Sequence, residues 1–131
     1  MTIRKKILLV DDSSTVILME KMILKNEPYD IVIARDGEEG VAMAVAHKPD
    51  LILMDFIMPK LTGVEAIRKL RENEATREIP IIMVTTRGEG ESVEAGYSSG
   101  CTDYVTKPIN NIELITKIRS MIGGFGMEEK T

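Results

Sequence analysis

The amino-acid sequence predicts an α/β fold, a (βα)5 doubly wound domain built on a five-stranded parallel sheet. Two observations carry this prediction. Short apolar runs bounded by turn residues recur along the chain, and segments with helical start signals lie between them. Strands that alternate with helices favour a parallel sheet covered on both faces, with right-handed crossovers. A chain of 131 residues fits one such domain.

The predicted strands are short and almost wholly apolar, as expected for strands buried on both faces. They are Ile7 to Val10, Ile31 to Ala34, Leu51 to Met54, Ile79 to Val84 and Tyr104 to Thr106. Three of the intervening helices begin with a capping side chain, Asp36, Thr62 or Asn110, placed three residues before a glutamate. This spacing is typical of a capping box.

The last helix has the clearest periodicity. Ile112, Ile115, Ile118 and Ile122 are spaced three or four residues apart, which predicts one packed face. The segment 89–100, expected as helix 4, contains interior glycines and should be locally weak.

Helix 1 carries more apolar residues than one buried stripe requires, so some of them should be exposed. Ile17 and Leu24 are candidates for docking a partner protein. The alternative interpretation places them at the edge of the core. Residues 1–122 are predicted to form the domain, and 123–131 a short Gly-rich tail that is either native or the start of a linker.

The composition argues against several classes of function. Seventeen Lys and Arg against 21 Asp and Glu give a net charge of -4, which argues against direct nucleic-acid binding. The single cysteine, Cys101, cannot form an internal disulfide, which fits a reducing cytosol. No apolar run approaches the roughly 18 residues of a membrane span. We therefore expect a soluble, cytoplasmic protein.

The residues that suggest chemistry fall where the predicted strands end. In doubly wound sheets, ligands bind beyond the carboxyl ends of the strands. The residues at those ends are Asp11, Asp12, Asp55, Thr85, Thr86 and Lys107. Each is weak evidence alone, since acidic pairs often cap helices and Lys-Pro often marks a turn. Four segments distant in sequence that converge on one pocket indicate a functional site.

Three carboxylates at one sheet edge would repel one another, by about 4 kcal/mol per pair at 4 Å under an effective dielectric constant of 20. A cation must compensate, and hard oxygen ligands suit Mg2+. Lys107 adds a positive charge, and the hydroxyl of Thr85 can donate a hydrogen bond to a phosphoryl oxygen. The set suits an aspartyl phosphate, a known form of carboxylate nucleophilic catalysis.

Over residues 5 to 122 the sequence resembles a response-regulator receiver domain of two-component signalling, of the single-domain chemotaxis-regulator type. The motifs that carry the resemblance are Ile7-Leu8-Leu9-Val10-Asp11-Asp12, Leu51-Ile52-Leu53-Met54-Asp55, Met58-Pro59 with Gly63, Pro80-Ile81-Ile82-Met83-Val84-Thr85 and Asp103-Tyr104-Val105-Thr106-Lys107-Pro108. The resemblance implies the flavodoxin-like strand order 2-1-3-4-5.

The resemblance also implies roles for individual residues. Asp55 would be the phosphoacceptor. Mg2+ would be held by Asp11, partly through water, and by Asp12, Asp55 and the backbone carbonyl of Ile57. Lys107 and Thr86 would contact the phosphoryl group.

The family's switch would use two further residues. Thr85 would move toward the phosphoryl group, and Tyr104 would then turn inward. The implied partners are a sensor histidine kinase or phosphotransfer protein and an unknown downstream target that binds helix 4, strand 5 and helix 5. The protein would be a monomer or a phosphorylation-dependent dimer, with no membrane partner.

Two positions depart from the family pattern. Ile57, two residues after Asp55, cannot orient an attacking water, and Thr86 is bulkier than the usual small residue. Both departures predict a long-lived phosphorylated state. Arg87 either reaches the mouth of the pocket or is a solvated loop residue.

Two other hypotheses concern the kind of protein. The chain could be a Mg2+-dependent phosphatase or phosphotransferase, but those enzymes typically carry a second aspartate where Ile57 stands. It could also be a fragment of a larger transcription factor or enzyme.

Overall fold

Five strands and five helices alternate along the chain in the computed structural model, which describes residues 4–86 and 90–123. The strands are β1 (Lys5–Val10), β2 (Tyr29–Ala34), β3 (Leu51–Asp55), β4 (Ile81–Thr86) and β5 (Asp103–Lys107). The helices are α1 (Ser14–Ile23), α2 (Gly37–His47), α3 (Gly63–Glu72), α4 (Gly90–Ser99) and α5 (Asn111–Ile122). The predicted (βα)5 alternation is confirmed. Arg87 and residues 124–131 lie outside the described residues.

The strands form one parallel sheet in the order β2-β1-β3-β4-β5, as predicted. The register brings the carboxyl ends of the central strands together, with Val10 opposite Met54 and Asp55 opposite Val84. β4 extends through the two threonines that were expected to follow it, and Thr86 pairs with Lys107. The residues that end β1, β3, β4 and β5 therefore share one edge of the sheet.

Each face of the sheet has its own apolar core, because successive strand residues point to opposite faces. One core packs strand residues against α2, α3 and α4, and includes Leu8, Val10, Ile52, Met54, Ala44, Ala66, Ile67, Leu70 and Met83. The other packs against α1 and α5, and includes Ile7, Leu9, Leu53, Val84, Ile17, Leu24, Leu114 and Ile118. Burial of each large aliphatic side chain stabilises the fold by about 1.5–3 kcal/mol.

The helix starts follow the prediction in part. Thr62 and Glu65 form a complete capping box at α3, each side chain accepting a hydrogen bond from the other's backbone N–H. At α2 and α5 only the forward half is present, in which Asp36 and Asn110 accept from the backbone N–H three residues later. The α2 box is incomplete because the Glu39 carboxylate accepts from the backbone N–H of Arg35 instead.

The buried face of α5 differs from the predicted one. Ile112 is 77% exposed, whereas Leu114 and Ile118 are fully buried. At 100° per residue, Ile112 and Leu114 lie on nearly opposite sides of the helix, so the helix cannot bury both. The packed stripe runs through Leu114 and Ile118, and the first of the four isoleucines faces outward.

The docking hypothesis for Ile17 and Leu24 is wrong, because each is only 3% exposed and packs in the core. Their alternative interpretation, as core residues, is correct. The exposed apolar residues of α1 are Leu18, Met19 and Met22. In an apolar-rich helix the sequence does not reveal which stripe faces the sheet.

Gly96 permits close packing of α4 on the sheet. A Cβ atom at this position would lie 2.7 Å from the Sδ atom of Met83 and 3.2 Å from the Sγ atom of Cys101. Cys101 is buried there, as expected for a packing residue. The lower local stability predicted for α4 remains a prediction.

One arginine joins two loops at the edge of the sheet opposite the strand ends described above. The Arg71 guanidinium donates hydrogen bonds to the backbone carbonyls of Arg77 and Ile79 at 2.9 and 2.7 Å, and to that of Gly100 at 2.9 Å. Gly100 has a φ of +116°, a conformation that favours glycine, and a Cβ there would lie 2.8 Å from Arg71 Cγ.

The helices within residues 4–86 and 90–123 include none with the length and apolar character that a membrane span requires.

Candidate functional site

Three carboxylates meet at the carboxyl edge of the sheet. Asp11 and Asp12 directly follow β1, and Asp55 is the last residue of β3. One carboxylate oxygen from each lies within 4.8 Å of the others. Asp11 and Asp55 are 1% and 6% exposed, whereas Asp12 faces solvent. These groups line an open cavity of about 200 Å³, so the predicted convergence of β1 and β3 is present.

Lys107, the last residue of β5, brings a positive charge to this site. Its Nζ atom lies 3.1 Å from Asp55 Oδ1 and 3.9 Å from Asp11 Oδ2. Burial tends to lower the pKa of Lys107, but its attraction to Asp55 and Asp11 outweighs burial and raises the pKa. The amine is therefore a fixed positive charge, already directed at Asp55.

The electrostatics of the carboxylates follow from burial and mutual repulsion. Burial, followed by the negative charge of Asp11, raises the pKa of Asp55 to about 6, although Lys107 acts in the opposite direction. Burial also raises the pKa of Asp11, against a hydrogen bond from the backbone N–H of Ser13 and the charge of Lys107. One ammonium group does not neutralise three carboxylates.

The donor set fits a divalent cation of the Mg2+ type. Asp11 Oδ2 is buried and has no hydrogen-bond partner, so one carboxylate oxygen is left to act as a ligand. The three clustered groups offer only oxygen donors, which Mg2+ prefers. Two positive charges would balance the net charge of -2 left by three carboxylates and one ammonium group.

The other predicted site residues lie around this cluster. Ile57 and Thr86 line the cavity, and Ile57 is 62% exposed. Thr85 is buried, and its hydroxyl oxygen has no hydrogen-bond partner. Neighbouring strand residues alternate in direction, so Val84 and Thr86 line the cavity while Thr85 points to the other face of the sheet.

Tyr104, in β5, is half-buried between α4 and α5. Its ring meets that of Tyr97 edge to face, at a centroid distance of 6.1 Å. The ammonium group of Lys117 lies 5.3 Å from the Tyr104 ring centroid and donates a hydrogen bond to the Tyr104 carbonyl at 2.6 Å. Lys117 also pairs with Asp103 and Glu113. Tyr104 thus contacts side chains of both neighbouring helices.

Gly63 lets α3 begin directly against the end of β3. Its N–H donates a hydrogen bond to the Phe56 carbonyl at 2.7 Å. A Cβ atom at this position would lie 2.6 Å from the Asp55 carbonyl oxygen and 2.9 Å from Phe56 Cα. A residue without a side chain is therefore required to place this loop, and the position of Asp55 depends on it.

The sequence analysis missed Glu20 and Lys117. Glu20 is 1% exposed and lies in α1 between the buried residues Ile17 and Leu24. Its spacing of three and four residues from two core residues was a usable signal. The contacts of Lys117 could not be foreseen, because they depend on how α5 packs beside β5.

The contribution of Asp55 to the stability of the metal-free protein should fall as the pH rises from about 4 to about 6, because the pKa of its carboxyl group is 3.8 in its ordinary state and about 6 in the fold. In this interval the folded protein keeps a proton that the unfolded chain has lost. Asp55→Asn should therefore raise the free energy of unfolding at neutral pH by about 1–3 kcal/mol. Urea unfolding of wild type and Asp55→Asn, near pH 4 and at neutral pH, measures this difference in the free energy of unfolding. A stability difference between variant and wild type that does not change with pH would contradict it, and Asp30→Asn, at an exposed site, is the control.

The fold and the acidic site together define a class. A parallel sheet in the order 2-1-3-4-5, with a cation-binding pocket at its carboxyl edge, is typical of chemotaxis-regulator-like proteins. The chain belongs to the response regulator receiver domain family, whose sequence model matches residues 7–119. This is the receiver domain of two-component response regulators, and such domains bind Mg2+ in their acidic site.

Similar proteins include both short and long regulators. Protein PilH of Pseudomonas aeruginosa is 37% identical over 91% of this chain and 98% of its own length. The regulator RpaA of Synechocystis is 35% identical over 89% of this chain, and PhoB of P. aeruginosa is 36% identical over 90%. The chain spans about half the length of these two transcriptional regulators, 48% and 52% respectively.

Solved structures show the same fold. Chemotaxis protein CheY4 of Vibrio cholerae superposes with a TM-score of 0.84 at 31% identity, over 92% of this chain and all of the other. The receiver domain of sensor histidine kinase PA1611 of P. aeruginosa has a TM-score of 0.85 at 31% identity, over 92% of this chain and 99% of the other. In that structure a magnesium ion is coordinated in the active-site cleft.

Proposed function

We propose that this chain accepts a phosphoryl group on Asp55 from a histidine kinase or phosphotransfer protein, and that phosphorylation changes a surface that binds a downstream protein. The observation that carries the proposal is the position of Asp55. Its carboxylate lines an open cavity, lies 3.1 Å from the ammonium group of Lys107 and is grouped with two other carboxylates.

The transfer is a nucleophilic displacement at phosphorus. A carboxylate oxygen of Asp55 forms a new P–O bond, the P–N bond of a phosphohistidine breaks, and the released imidazole nitrogen takes up a proton. Mg2+ would be held by Asp11, Asp12, Asp55 and the backbone carbonyl of Ile57, and when bound it supplies positive charge to the phosphoryl oxygens. Ionised Asp55 is the nucleophile, so acceptance requires a pH at which its proton has been lost.

Lys107 and the two threonines are proposed to stabilise the phosphoryl group. Lys107 is already directed at Asp55, and it would pair with the added negative charge. Thr86 lines the cavity and can donate its hydroxyl proton to a phosphoryl oxygen. The buried hydroxyl of Thr85 has no hydrogen-bond partner, so a move toward the phosphoryl group would give it one.

Tyr104 is proposed to carry this change to the surface of α4, β5 and α5. Its ring contacts Tyr97 of α4 and the ammonium group of Lys117 of α5, so a change in the ring position alters contacts on both helices. We propose this surface as the one that binds the downstream protein. In the same proposal the chain is cytoplasmic, does not bind nucleic acid directly, and is a monomer or a phosphorylation-dependent dimer.

We further propose that the chain acts as a signalling module and catalyses only its own phosphorylation and slow dephosphorylation. A phosphatase or phosphotransferase of the aspartyl-phosphate type needs an acid and base next to the nucleophile. The side chain two residues after Asp55 is that of Ile57, which cannot transfer a proton. Among the described residues, the cavity therefore offers a phosphoacceptor without such an acid and base two residues after it.

The test is incubation with Mg2+ and acetyl phosphate, followed by intact mass measurement. Wild type should gain a single phosphoryl group, whereas Asp55→Asn should gain none. Asp30→Asn, which changes an exposed aspartate on β2, should be labelled like wild type. Absence of label on wild type, or equal labelling of the Asp55 variant, would disprove the assignment.

A further inference from the structure

Asp103, the first residue of β5, joins both side chains that flank the ring of Tyr104. Its Oδ1 atom accepts hydrogen bonds from the Tyr104 backbone N–H at 2.8 Å and from the Lys117 ammonium group at 3.2 Å, and a longer one from the Tyr97 hydroxyl at 3.3 Å. Tyr97 meets the Tyr104 ring edge to face, and the Lys117 ammonium group lies over the same ring. The ring is therefore held between two groups that share one carboxylate.

The ammonium group of Lys117 is fixed in this position by oxygens on β5 and α5. Besides Asp103, they are the Tyr104 carbonyl oxygen at 2.6 Å and the Glu113 carboxylate at 3.4 Å, so three oxygens surround a group with three N–H donors. The Lys117 side chain is only 24% exposed, so water competes less for its charge than at an open surface. A cation held over a tyrosine ring attracts the ring.

Tyr104 and Thr85 lie on the same face of the sheet. Tyr104 pairs with Met83, two residues before Thr85, and side chains two apart on a strand point in the same direction. Tyr104 packs against the core on this face, and the buried Thr85 hydroxyl has no hydrogen-bond partner. This is the resting arrangement, with Thr85 not engaged and the Tyr104 ring beside Lys117. A ring that moves toward Thr85 must leave the fixed cation.

We propose that Lys117 is a positioning residue that holds Tyr104 in the resting conformation and so sets how readily the domain switches. The inference rests on the switching role of Tyr104 in the proposed function. Phosphorylation must outweigh the attraction between the cation and the ring, whereas without Lys117 the inward position is populated more often before phosphorylation. Because ring movement and phosphorylation are linked, a larger inward population also favours acceptance of the phosphoryl group.

Labelling with Mg2+ and acetyl phosphate tests the proposal in Lys117→Met, which keeps the length of the side chain but removes its charge. The variant should be phosphorylated roughly two- to fivefold faster than wild type, the factor that corresponds to one cation–π contact. Its Tyr104 ring resonances in NMR should lie partway toward their phosphorylated positions before phosphodonor is added. Lys117→Arg restores a cation and should behave like wild type.

The control for this experiment is Lys69→Met, which removes an exposed lysine of α3 and should leave the rate unchanged. A residue with only a structural role would lower the free energy of unfolding without accelerating phosphorylation. A rate for Lys117→Met equal to or below that of wild type would therefore overturn the proposal.

A second measurement uses wild type alone and does not depend on the folding of a variant. The ring current of Tyr104 should shift the ε-methylene protons of Lys117 upfield relative to those of Lys69, and this difference should fall on phosphorylation. A shift that persists in fully phosphorylated protein would overturn the inference alone, since ring and cation would have stayed together. If wild type takes up no phosphoryl group, the proposed function fails and this inference fails with it.

Discussion

Gly63→Ala is expected to lower the free energy of unfolding by about 2–3 kcal/mol. The added Cβ atom would meet the Asp55 carbonyl oxygen at 2.6 Å and Phe56 Cα at 2.9 Å, and these are backbone atoms that cannot rotate away. A shift of α3 would relieve the overlap only by breaking the hydrogen bond from Gly63 N–H to the Phe56 carbonyl. The higher helix propensity of alanine offsets roughly 1 kcal/mol or less of this loss.

Urea unfolding and phosphorylation by acetyl phosphate measure the two expected effects of this variant. Asn111→Ala is a matched control, because Asn111 is likewise the first residue of its helix but is exposed. The glycine variant should also phosphorylate more slowly, since the backbone that its Cβ displaces carries the nucleophile. Stability equal to that of the control variant would show that the loop can adjust without cost.

Ile57→Asn is expected to increase the rate of phosphoryl loss from Asp55 by about tenfold or more, provided that the chain is phosphorylated as proposed. Ile57 lines the cavity and is 62% exposed, so its side chain stands where water must approach. An amide in the same place can hold and orient the attacking water, which a branched alkyl group cannot do.

Mass measurement at intervals after removal of the phosphodonor gives the rate of loss. Wild type should retain its label for longer than the variant. Ile112→Asn, a substitution of a similarly exposed isoleucine on α5, should leave the rate unchanged. Rapid loss from wild type, or equal rates for wild type and Ile57→Asn, would contradict the prediction of a long-lived phosphorylated state.

The strand ends were the most predictable part of this molecule. Apolar runs that each terminate in a polar residue identify Asp11 and Asp55, and the parallel arrangement of the strands then brings the two together. The structure places one carboxylate oxygen of each within 4.8 Å of the other and of Asp12. This inference depends only on the direction of the strands, so errors of one or two residues at element ends did not affect it.

Helix faces were less predictable, because a helix rich in apolar residues has more than one plausible buried stripe. In α1 the sequence allowed Ile17 to face outward, and the structure buries it while exposing Met22. In α5 the isoleucine spacing drew attention to Ile112, although Leu114 is the buried residue. Packing against the sheet decides between such stripes, and that contact is not encoded in the periodicity of one helix.

Lys107 was placed correctly because it ends a strand, but the contacts of long charged side chains elsewhere could not be predicted. Lys117 reaches the carbonyl and ring of Tyr104, and Arg71 reaches carbonyls in two loops. Each of these contacts depends on how separate helices and strands pack together. From the sequence alone, a charged residue is most simply interpreted as part of a solvated surface.

Arg71 and Gly100 have a consequence for how sequences of this kind can diverge. The guanidinium group serves the carbonyls of Arg77, Ile79 and Gly100 at once, and a lysine, with its compact charge, could not span them. Any side chain at position 100 would displace the aliphatic part of the Arg71 side chain, so the residues allowed at the two positions depend on each other. We therefore expect a substitution at one position to be accompanied by a change at the other, so that the two loops diverge together.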